Sequence, residues 1–387
     1  MEDRPHSTGL NLGNILSRPA ESKPTIKTTK PDTQERDREG AKKRDDAVAT
    51  RASGQAFDPH YKDSYWAKVV DIRLCDDFMA IKFTNGEKKV YKGKSETRET
   101  SLYKLYSAVL DEYEPEHTYL ARDFSLTWQG GRWRGQLYHC SKGWMVALRQ
   151  MPYEEPNLTR FGFKLEDLLK ISDKTGLVLF AGPTGAGKST TMAGLMYELQ
   201  RRGLLGDTVT IEDPIEYLFD DPFIQQREVG VDVESFHAGI HEAMRQGPDT
   251  IMVGEIRHPK TAEIAVEAGL TGHRVLASVH AESVEEACSR MFALLDSHHG
   301  DLLPQAIQGI VAQHLIRNTD GRVVTLYEFL DFDRAAKTVL AGGADSLPRL
   351  IHEQFRQRNQ TLKDSAMHHL TEGRVERKDV VRWIGES

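Results

Sequence analysis

The stretch LVLFAGPTGAGKST, residues 177–190, decides the fold of this chain. Its apolar start predicts a buried β-strand, and the run from Met192 to Arg201 beyond it is typical of an α-helix. A strand, a GxxxxGK[ST] loop and a helix in this order form a P-loop, in which backbone N–H groups and the helix N-terminus face a phosphate. The sequence therefore predicts an α/β domain that binds a nucleotide directly after a strand.

The residue types in this loop suit a nucleotide that carries Mg²⁺. Lys188 would place a positive charge at the β- and γ-phosphates, and the Ser189 hydroxyl would be a ligand of the ion that bridges the same oxygens. Because kinases, GTPases, transporters and motors all use such a loop, the rest of the domain must distinguish between them. The predicted nucleotide-binding residues of the loop are Gly182, Pro183, Thr184, Gly185, Ala186, Gly187, Lys188, Ser189 and Thr190.

Three further strand-like stretches end in residues that can act on a phosphate. They are TVTIEDPIEY (208–217), DTIMVGEIR (249–257) and TGHRVLASVH (271–280). In a parallel α/β sheet the carboxyl ends of the strands line the ligand crevice beside the P-loop. We therefore expect Glu212, Glu255 and His280 to lie where the γ-phosphate is bound.

The chain outside the P-loop domain divides by composition and periodicity. The N-terminal segment has few large apolar residues, which favours disorder, although Leu10 to Leu16 is a candidate docking element. Alternating apolar and polar stretches, interrupted by a helical pattern from Ser101 to Glu112, then predict a small α+β domain. The predicted divisions are 1–56 (disordered arm), 57–151 (small α+β domain), 152–160 (Pro-bearing linker), 161–330 (P-loop core) and 331–387 (mostly helical region).

Bulk composition limits the function classes. The 387 residues, 39% hydrophobic and 28% charged, are typical of a globular chain with about two domains. No apolar run approaches the ~20 residues of a membrane-spanning helix, and no signal-peptide core is present, which predicts a cytoplasmic protein. The formal net charge of −7 argues against a general affinity for nucleic acid, so we expect protein partners.

Cysteine and histidine spacing predicts no metal site. The three cysteines lie far apart without a CxxC pair, and we interpret them as packing residues. The two adjacent histidine pairs are interpreted as solvated polar residues. These residues are Cys75, Cys140, Cys288, His298, His299, His368 and His369.

Taken together, the motifs resemble those of the secretion and pilus ATPases, which include pilus retraction and assembly motors and conjugation and type IV secretion ATPases. The marks are a Walker A loop (182–189), an aspartate box (210–217), an unusual Walker B (251–255) and a histidine box (271–280). The segments QREVG (226–230), AMR (243–245) and QGIVAQHL (308–315) also match. The resemblance implies a RecA-like P-loop ATPase domain with a parallel-rich sheet, preceded by a small α+β domain that is PAS-like.

The resemblance also implies an activity and partners. ATP with Mg²⁺ is the expected cofactor pair, and hydrolysis in a ring, expected to be a homo-hexamer, would drive pilus dynamics, protein secretion or conjugative transfer. Expected partners are further copies of the chain and proteins of an inner-membrane platform or of secretion or conjugation machinery, with no direct nucleic-acid binding. The expected location is cytoplasmic, peripheral to the cytoplasmic face of the inner membrane.

Within this family pattern, five residues receive roles at the phosphate. Glu255 is expected to orient or deprotonate the attacking water. Glu212 and Asp213 would hold the magnesium shell or assist the base. His273 and His280 would sense the γ-phosphate and relay its loss.

Two arginines of the small domain complete the implied site. The segments RGQLY (134–138) and ALRQMP (147–152) look like the arginine-bearing strands before the family's linker. Arg134 and Arg149 would therefore supply positive charge at the transition state, either to their own chain or to a neighbour.

Other functions stay open at this point. No paired CxxC follows the histidine box, which favours retraction-type or conjugation-type motors over assembly and secretion types, and LPRLIH (347–352) stands roughly where retraction motors have AIRNLIR. An ATP-binding switch or assembly scaffold without productive turnover would carry the same motifs. A P-loop phosphotransferase would need a lid and acceptor-site residues, which the chain after His280 does not offer.

Overall fold

The computed structural model describes residues 8–11, 64–92, 101–113, 121–318, 321, 323–355 and 361–385. The chain divides into two compact units, one comprising residues up to Tyr153 together with 230–232, and the other comprising 154–229 and 233–387. In the part of the chain that is described, no helix is long and apolar enough to cross a bilayer. Each unit has its own sheet and its own hydrophobic core.

The N-terminal unit is built on a seven-stranded sheet in the order β1-β5-β6-β7-β2-β3-β4. All neighbouring strands are antiparallel except β1 and β5. Helix α1 packs on one face through Leu105 and Val109, against Ile72 and Trp133. The elements are a 3-10 turn Trp66–Lys68, β1 Thr8–Asn11, β2 Val69–Leu74, β3 Phe78–Phe83, β4 Lys88–Lys92, α1 Ser101–Tyr113, β5 Arg122–Trp128, β6 Gly131–Cys140 and β7 Gly143–Gln150.

The strands of this unit lie where the period-two patterns predict them, because one face of the sheet is buried. In β6, Trp133 and Leu137 are buried while Arg134 and Gln136 are exposed. The helix also lies at its predicted position. That the unit is PAS-like stays a prediction.

Four residues of the expected disordered arm are part of this sheet. Thr8–Asn11 pairs in parallel with Phe124 to Thr127 of β5, where the structure has a strand instead of unordered chain. An edge strand presents a row of unpaired backbone groups, so a short segment can add to it without an apolar pattern of its own. Residues 1–7 and 12–56 of the arm lie outside the described residues.

The second unit is built on a seven-stranded sheet in the order β10-β9-β11-β12-β8-β13-β14. Every neighbouring pair is parallel except β13 and β14, so β14 is an antiparallel edge strand. This is the predicted α/β fold with a parallel-rich sheet. The strands are β8 Gly176–Ala181, β9 Thr208–Glu212, β10 Ile224–Glu228, β11 Thr250–Val253, β12 Arg274–Val279, β13 Ile307–Arg317 and β14 Val323–Asp331.

Helices cover both faces of this sheet, which is why its central strands are continuous apolar runs. In β8, Leu177 and Leu179 belong to one core, whereas Val178 and Phe180 belong to the other. The helices are α2 Leu158–Phe161, α3 Leu165–Ser172, α4 Lys188–Arg201, α5 Phe236–Met244, α6 Pro259–Leu270, α7 Val284–Leu294, α8 Ser297–Ala306, α9 Arg334–Leu340, α10 Leu347–Arg349, α11 Leu362–Thr371 and α12 Arg377–Ile384, with a 3-10 turn Ala344–Ser346 and a π-helical turn Leu350–Phe355.

Three local expectations differ from the structure. Helix α2 begins at Leu158, inside the expected linker, because the Asn157 side chain caps it by accepting the Arg160 N–H at 2.9 Å. His369 is fully buried, with Nε2 3.0 Å from the Thr325 carbonyl oxygen, so its interpretation as a solvated residue is wrong. His299 is largely covered, and its ring nitrogens lie 2.8 Å from Asp296 and 3.0 Å from Glu267.

Candidate nucleotide-binding and hydrolysis site

The P-loop leaves the carboxyl end of β8 and enters α4, as its sequence predicts. A Cβ on Gly182 would lie 2.6 Å from the Gln313 carbonyl oxygen, so only glycine fits this close approach. Gly187, the N-cap of α4, has φ of 82° and no side-chain cap. Since a glycine at the N-cap has no side chain to accept from them, the first-turn N–H groups of the helix, together with the helix dipole, form a cradle for a phosphate.

The Lys188 side chain reaches back across the P-loop, and its ammonium group is hydrogen-bonded to uncharged carbonyl oxygens. Its Nζ donates to the carbonyl oxygens of Gly182 at 2.7 Å and Pro183 at 3.1 Å. Burial lowers the pKa of this ammonium from its usual value, and nearby Glu255 opposes the effect. Since an ammonium has three donors, a further N–H can bind an anion. The loop thus fits the phosphates of a nucleotide.

Gln313 of β13 packs against the P-loop and forms a hydrogen bond with its backbone. It was not among the predicted site residues. Its side chain is buried, and Nε2 donates to the Ala186 carbonyl oxygen at 2.6 Å. Among the described residues, its Oε1 has no hydrogen-bond partner. The residue lies in the segment QGIVAQHL, but its position under the loop depends on β13 pairing with β8, which the local sequence does not reveal.

Glu255 and His280 meet at the carboxyl ends of β11 and β12. Glu255 Oε1 lies 2.7 Å from His280 Nε2, and Oε2 lies 2.6 Å from Arg257 Nη2. Burial lowers the pKa of the His280 imidazole, and the positive charge of Lys188 lowers it further. Glu255 Oε1 nevertheless has no hydrogen-bond partner among the described residues, so the 2.7 Å approach of His280 Nε2 is a close contact rather than a hydrogen bond. Arg257, two residues after Glu255, is the second residue in contact with the Glu255 carboxylate, and no role was predicted for it from the sequence.

Glu212 lies at the end of β9 but is enclosed by its own loop. Its carboxylate accepts hydrogen bonds from the Thr210 hydroxyl at 2.6 Å, from Gln226 Nε2 at 3.1 Å and from the Glu216 backbone. Burial raises its pKa to about 7 despite these bonds. These hydrogen bonds hold the Glu212 carboxyl group inside its own loop.

The same loop reaches the P-loop helix through a tyrosine. Tyr217 donates from its hydroxyl to Thr190 Oγ1 at 3.1 Å, and Gln226 Nε2 donates to the Tyr217 carbonyl oxygen at 2.8 Å. Glu212 is therefore connected to the first turn of α4 through Gln226 and Tyr217. The hydrogen bonds of its carboxylate within the described residues come from Thr210, Gln226 and Glu216, not from Lys188 or His280.

Two oxygen donors remain near the phosphate cradle for a metal ion. Ser189 lies half exposed in the first turn of α4, and Asp213 is exposed directly after β9, where its charge acts on Arg257. Hydroxyl and carboxylate oxygens are the ligand types that Mg²⁺ prefers. These residues fit the ion by their chemistry and position.

His273 lies at the other edge of the sheet. It precedes β12, its carbonyl oxygen accepts the N–H of Gly176 at the start of β8, and its Nδ1 is 2.7 Å from the Pro248 carbonyl oxygen. The length of β8, roughly 20 Å at the usual rise, separates this position from the P-loop of the same chain. The expectation that His273 senses that γ-phosphate is corrected: the histidine box spans a whole strand, so its two histidines lie at opposite ends.

Arg134 and Arg149 belong to the N-terminal unit, where they are direct cross-strand neighbours on β6 and β7. Both are exposed, and Arg149 Nε lies 2.9 Å from Asp71 Oδ1. Both guanidinium groups are therefore exposed on the same face of the sheet. Their role at a nucleotide stays a prediction.

Comparison with known proteins agrees with this geometry. A sequence profile of the family described as Type II/IV secretion system protein matches residues 139–381, more than half of the chain. The chain is 32% identical over 298 residues to the type IV pilus ATPase PilU of Pseudomonas aeruginosa, which covers 74% of this chain and 76% of that protein.

Solved structures show the same fold. The ATPase DotB of Legionella pneumophila has a TM-score of 0.71 at 24% identity and covers 83% of this chain and 93% of its own. The pilus retraction motor PilT, solved with bound ADP, has a TM-score of 0.65 at 27% identity and covers 82% and 97%. The profile includes the P-loop and the Glu255–His280 pair, so the chain is a nucleotide-binding member of the type II/IV secretion system protein family.

Proposed function

We propose that this protein is an ATPase motor that couples ATP hydrolysis to pilus dynamics, protein secretion or conjugative transfer. The observation that carries the proposal is the Glu255–His280 pair beside Lys188, because it adds a candidate base to a phosphate cradle. A loop that only binds nucleotide needs no such base. Since ATP is supplied in the cytoplasm, we expect the motor to act there, at the cytoplasmic face of a membrane-bound machinery.

Each residue of the site contributes a separate effect to hydrolysis. The N-terminus of α4 and Lys188 bind and orient the phosphates, and they stabilise charge that develops on the oxygens. Glu255 accepts the proton of the attacking water, while Arg257 orients its carboxylate by a hydrogen bond and His280 lies against the other carboxylate oxygen. His280, beside Glu255, would sense the γ-phosphate and relay its loss.

Mg²⁺ would be held by Ser189, with Asp213 in its outer shell, and when bound it neutralises phosphate charge. Glu212 acts on this site through the loop that carries Tyr217, and its buried carboxyl fixes that loop by accepting three hydrogen bonds. Arg134 and Arg149 supply the remaining positive charge at the transition state. The active form is a ring, most simply a homo-hexamer, because this allows arginines to act between copies.

Phosphate release measured at steady state tests the function. Wild-type protein should release inorganic phosphate and ADP in equal amounts from ATP and Mg²⁺, and Lys188→Ala should abolish release while the fold persists. Lys260→Ala, which removes an exposed lysine at the start of α6, is the matched control and should hydrolyse ATP normally.

Two outcomes would contradict the proposal. Tight ATP binding without phosphate release would favour the switch or scaffold. Phosphate transfer to an added small-molecule acceptor in place of release would favour the phosphotransferase.

A further inference from the structure

The second unit contains a groove at the amino edge of its sheet, at the opposite end of β8 from the P-loop. Lys174 precedes β8, Gln308 lies at the start of β13, and Phe332 follows the end of the antiparallel β14. The groove has a volume of about 570 Å³. The groove is open to solvent, so a ligand would lie against its surface rather than be enclosed. We call it the amino-edge groove.

The amino-edge groove carries an excess of positive charge. Lys174, Arg334 and Lys337 line it, with Asp333 as its one lining carboxylate. Asp333 caps α9 by accepting the Ala336 N–H at 2.9 Å. Within the described ranges, no carboxylate oxygen lies within 4.0 Å of a side-chain nitrogen of these three cations. By contrast, neighbouring Lys170 is paired with Asp331 at 2.6 Å.

Lys337 is positioned by neutral groups that do not cancel its charge. Its Nζ donates to the Gln305 carbonyl oxygen and to Gln308 Oε1, both at 3.3 Å. The Gln308 amide is itself oriented, because its Nε2 donates to the Thr175 carbonyl oxygen at 2.9 Å. An ammonium has three N–H donors, so one is left for a ligand.

The electrostatics at Lys337 favour an anion. Burial lowers the pKa of Lys337, and the positive charge of Lys174 lowers it further, while the carboxylate of Asp331 acts in the opposite direction. A bound anion would lie between the two like charges and stabilise both ammonium groups. Arg334 adds a planar guanidinium, which matches phosphate oxygens in a two-pronged geometry. Phe332 and Ala341 line the remainder with apolar surface.

We propose that the amino-edge groove binds a small organic phosphate, with the phosphate group between Lys174, Lys337 and Arg334. This site is separate from the P-loop and independent of the hydrolytic mechanism. Both sites lie on the same strand, since Lys174 is two residues before β8 and the P-loop begins directly after it.

Isothermal titration calorimetry of the full chain with ribose 5-phosphate tests the proposal. Saturating ADP is present throughout, so that the P-loop is filled and cannot contribute. Wild-type protein should bind ribose 5-phosphate, and Lys174→Gln and Lys337→Gln should each weaken binding about 10-fold or more, the loss expected for a hydrogen bond to a charged group. Lys260→Gln, which removes an exposed lysine of α6 outside the groove, should bind as wild type does.

Several results would overturn the proposal. They are the absence of binding by wild-type protein, unchanged binding by both groove variants, or equal affinity for neutral ribose or for succinate. If Lys337→Gln proved unstable in thermal unfolding, Lys337→Arg would take its place, and it should retain binding because the charge remains. Lys174 precedes the strand in an exposed turn, so Lys174→Gln tests the groove without disturbing the core.

Discussion

Replacing Glu212 by glutamine should change how the stability of the second unit depends on pH. Burial raises the pKa of this carboxyl group from 4.5 to about 7 in the folded chain. Below pH 4.5 both folded and unfolded chains are protonated there, and the full stability is present. As the pH rises to about 7 the folded chain holds the proton that the unfolded chain has lost, so stability falls; above 7 the loss is complete.

The size of this loss follows from the same pKa difference. One pKa unit corresponds to about 1.4 kcal/mol, so a rise from 4.5 to about 7 makes the loss about 3 kcal/mol between pH 4 and pH 8. Glutamine is neutral throughout this range, but its amide cannot accept all three hydrogen bonds, which costs about 1–2 kcal/mol at every pH. The variant should therefore be less stable than wild type at pH 4 and more stable at pH 8.

Differential scanning calorimetry at a series of pH values measures the effect. The difference in unfolding free energy between Glu212→Gln and wild type should change by about 3 kcal/mol across the range, whatever its constant offset. Buried Glu328, whose pKa is also raised to about 7, contributes equally to both proteins and cancels. Glu282→Gln, which removes a largely exposed carboxylate, is the matched control for the loss of one carboxyl group. Parallel curves for wild type and Glu212→Gln would refute the burial argument.

Three further predictions concern turnover and assembly. Glu255→Gln should keep its nucleotide affinity, but its rate of phosphate release should fall about 10²–10⁴-fold, because an amide cannot take a proton from water. Glu282→Gln is the control, and a normal rate in Glu255→Gln would exclude Glu255 as the base. Arg134→Ala and Arg149→Ala should each bind fluorescent ATP nearly normally but hydrolyse it far more slowly, since an arginine finger contributes about 10³–10⁵ in rate; wild-type turnover in both would remove the arginines from the mechanism. Native mass spectrometry should find six copies of the chain with ATP present, and full activity from a dilute monomer would contradict a ring.

The parts of the site that depend on neighbouring residues in the chain could be predicted from sequence. The P-loop is local, so its glycines, Lys188 and the helix after it follow from one contiguous pattern. The meeting of Glu255 with His280 follows from a general rule, because parallel strands end at a common edge. A strand that is buried on both faces can also be recognised in the sequence by its uninterrupted apolar run, as in β8.

The features that sequence reasoning missed depend on distant partners. Glu212 is buried by residues of β10 and of its own loop, and the sequence does not show that Gln226 will meet it. His273 was misplaced because a family box was treated as one location, although it begins and ends at opposite edges of a sheet. The buried position of His369 depends on the packing of α11 against β14, which links residues 44 positions apart.

The alternation of β8 between two cores has a mechanical consequence. A shift of this strand by a single residue would turn Leu177 and Leu179 toward the core that holds Val178 and Phe180, and would mismatch both packings at once. The strand therefore cannot slide along its neighbours when the γ-phosphate is lost. A conformational change at the P-loop can therefore move the loops at the strand ends, or it can move the whole sheet as a rigid body. In neither case do the strands of the core change their register.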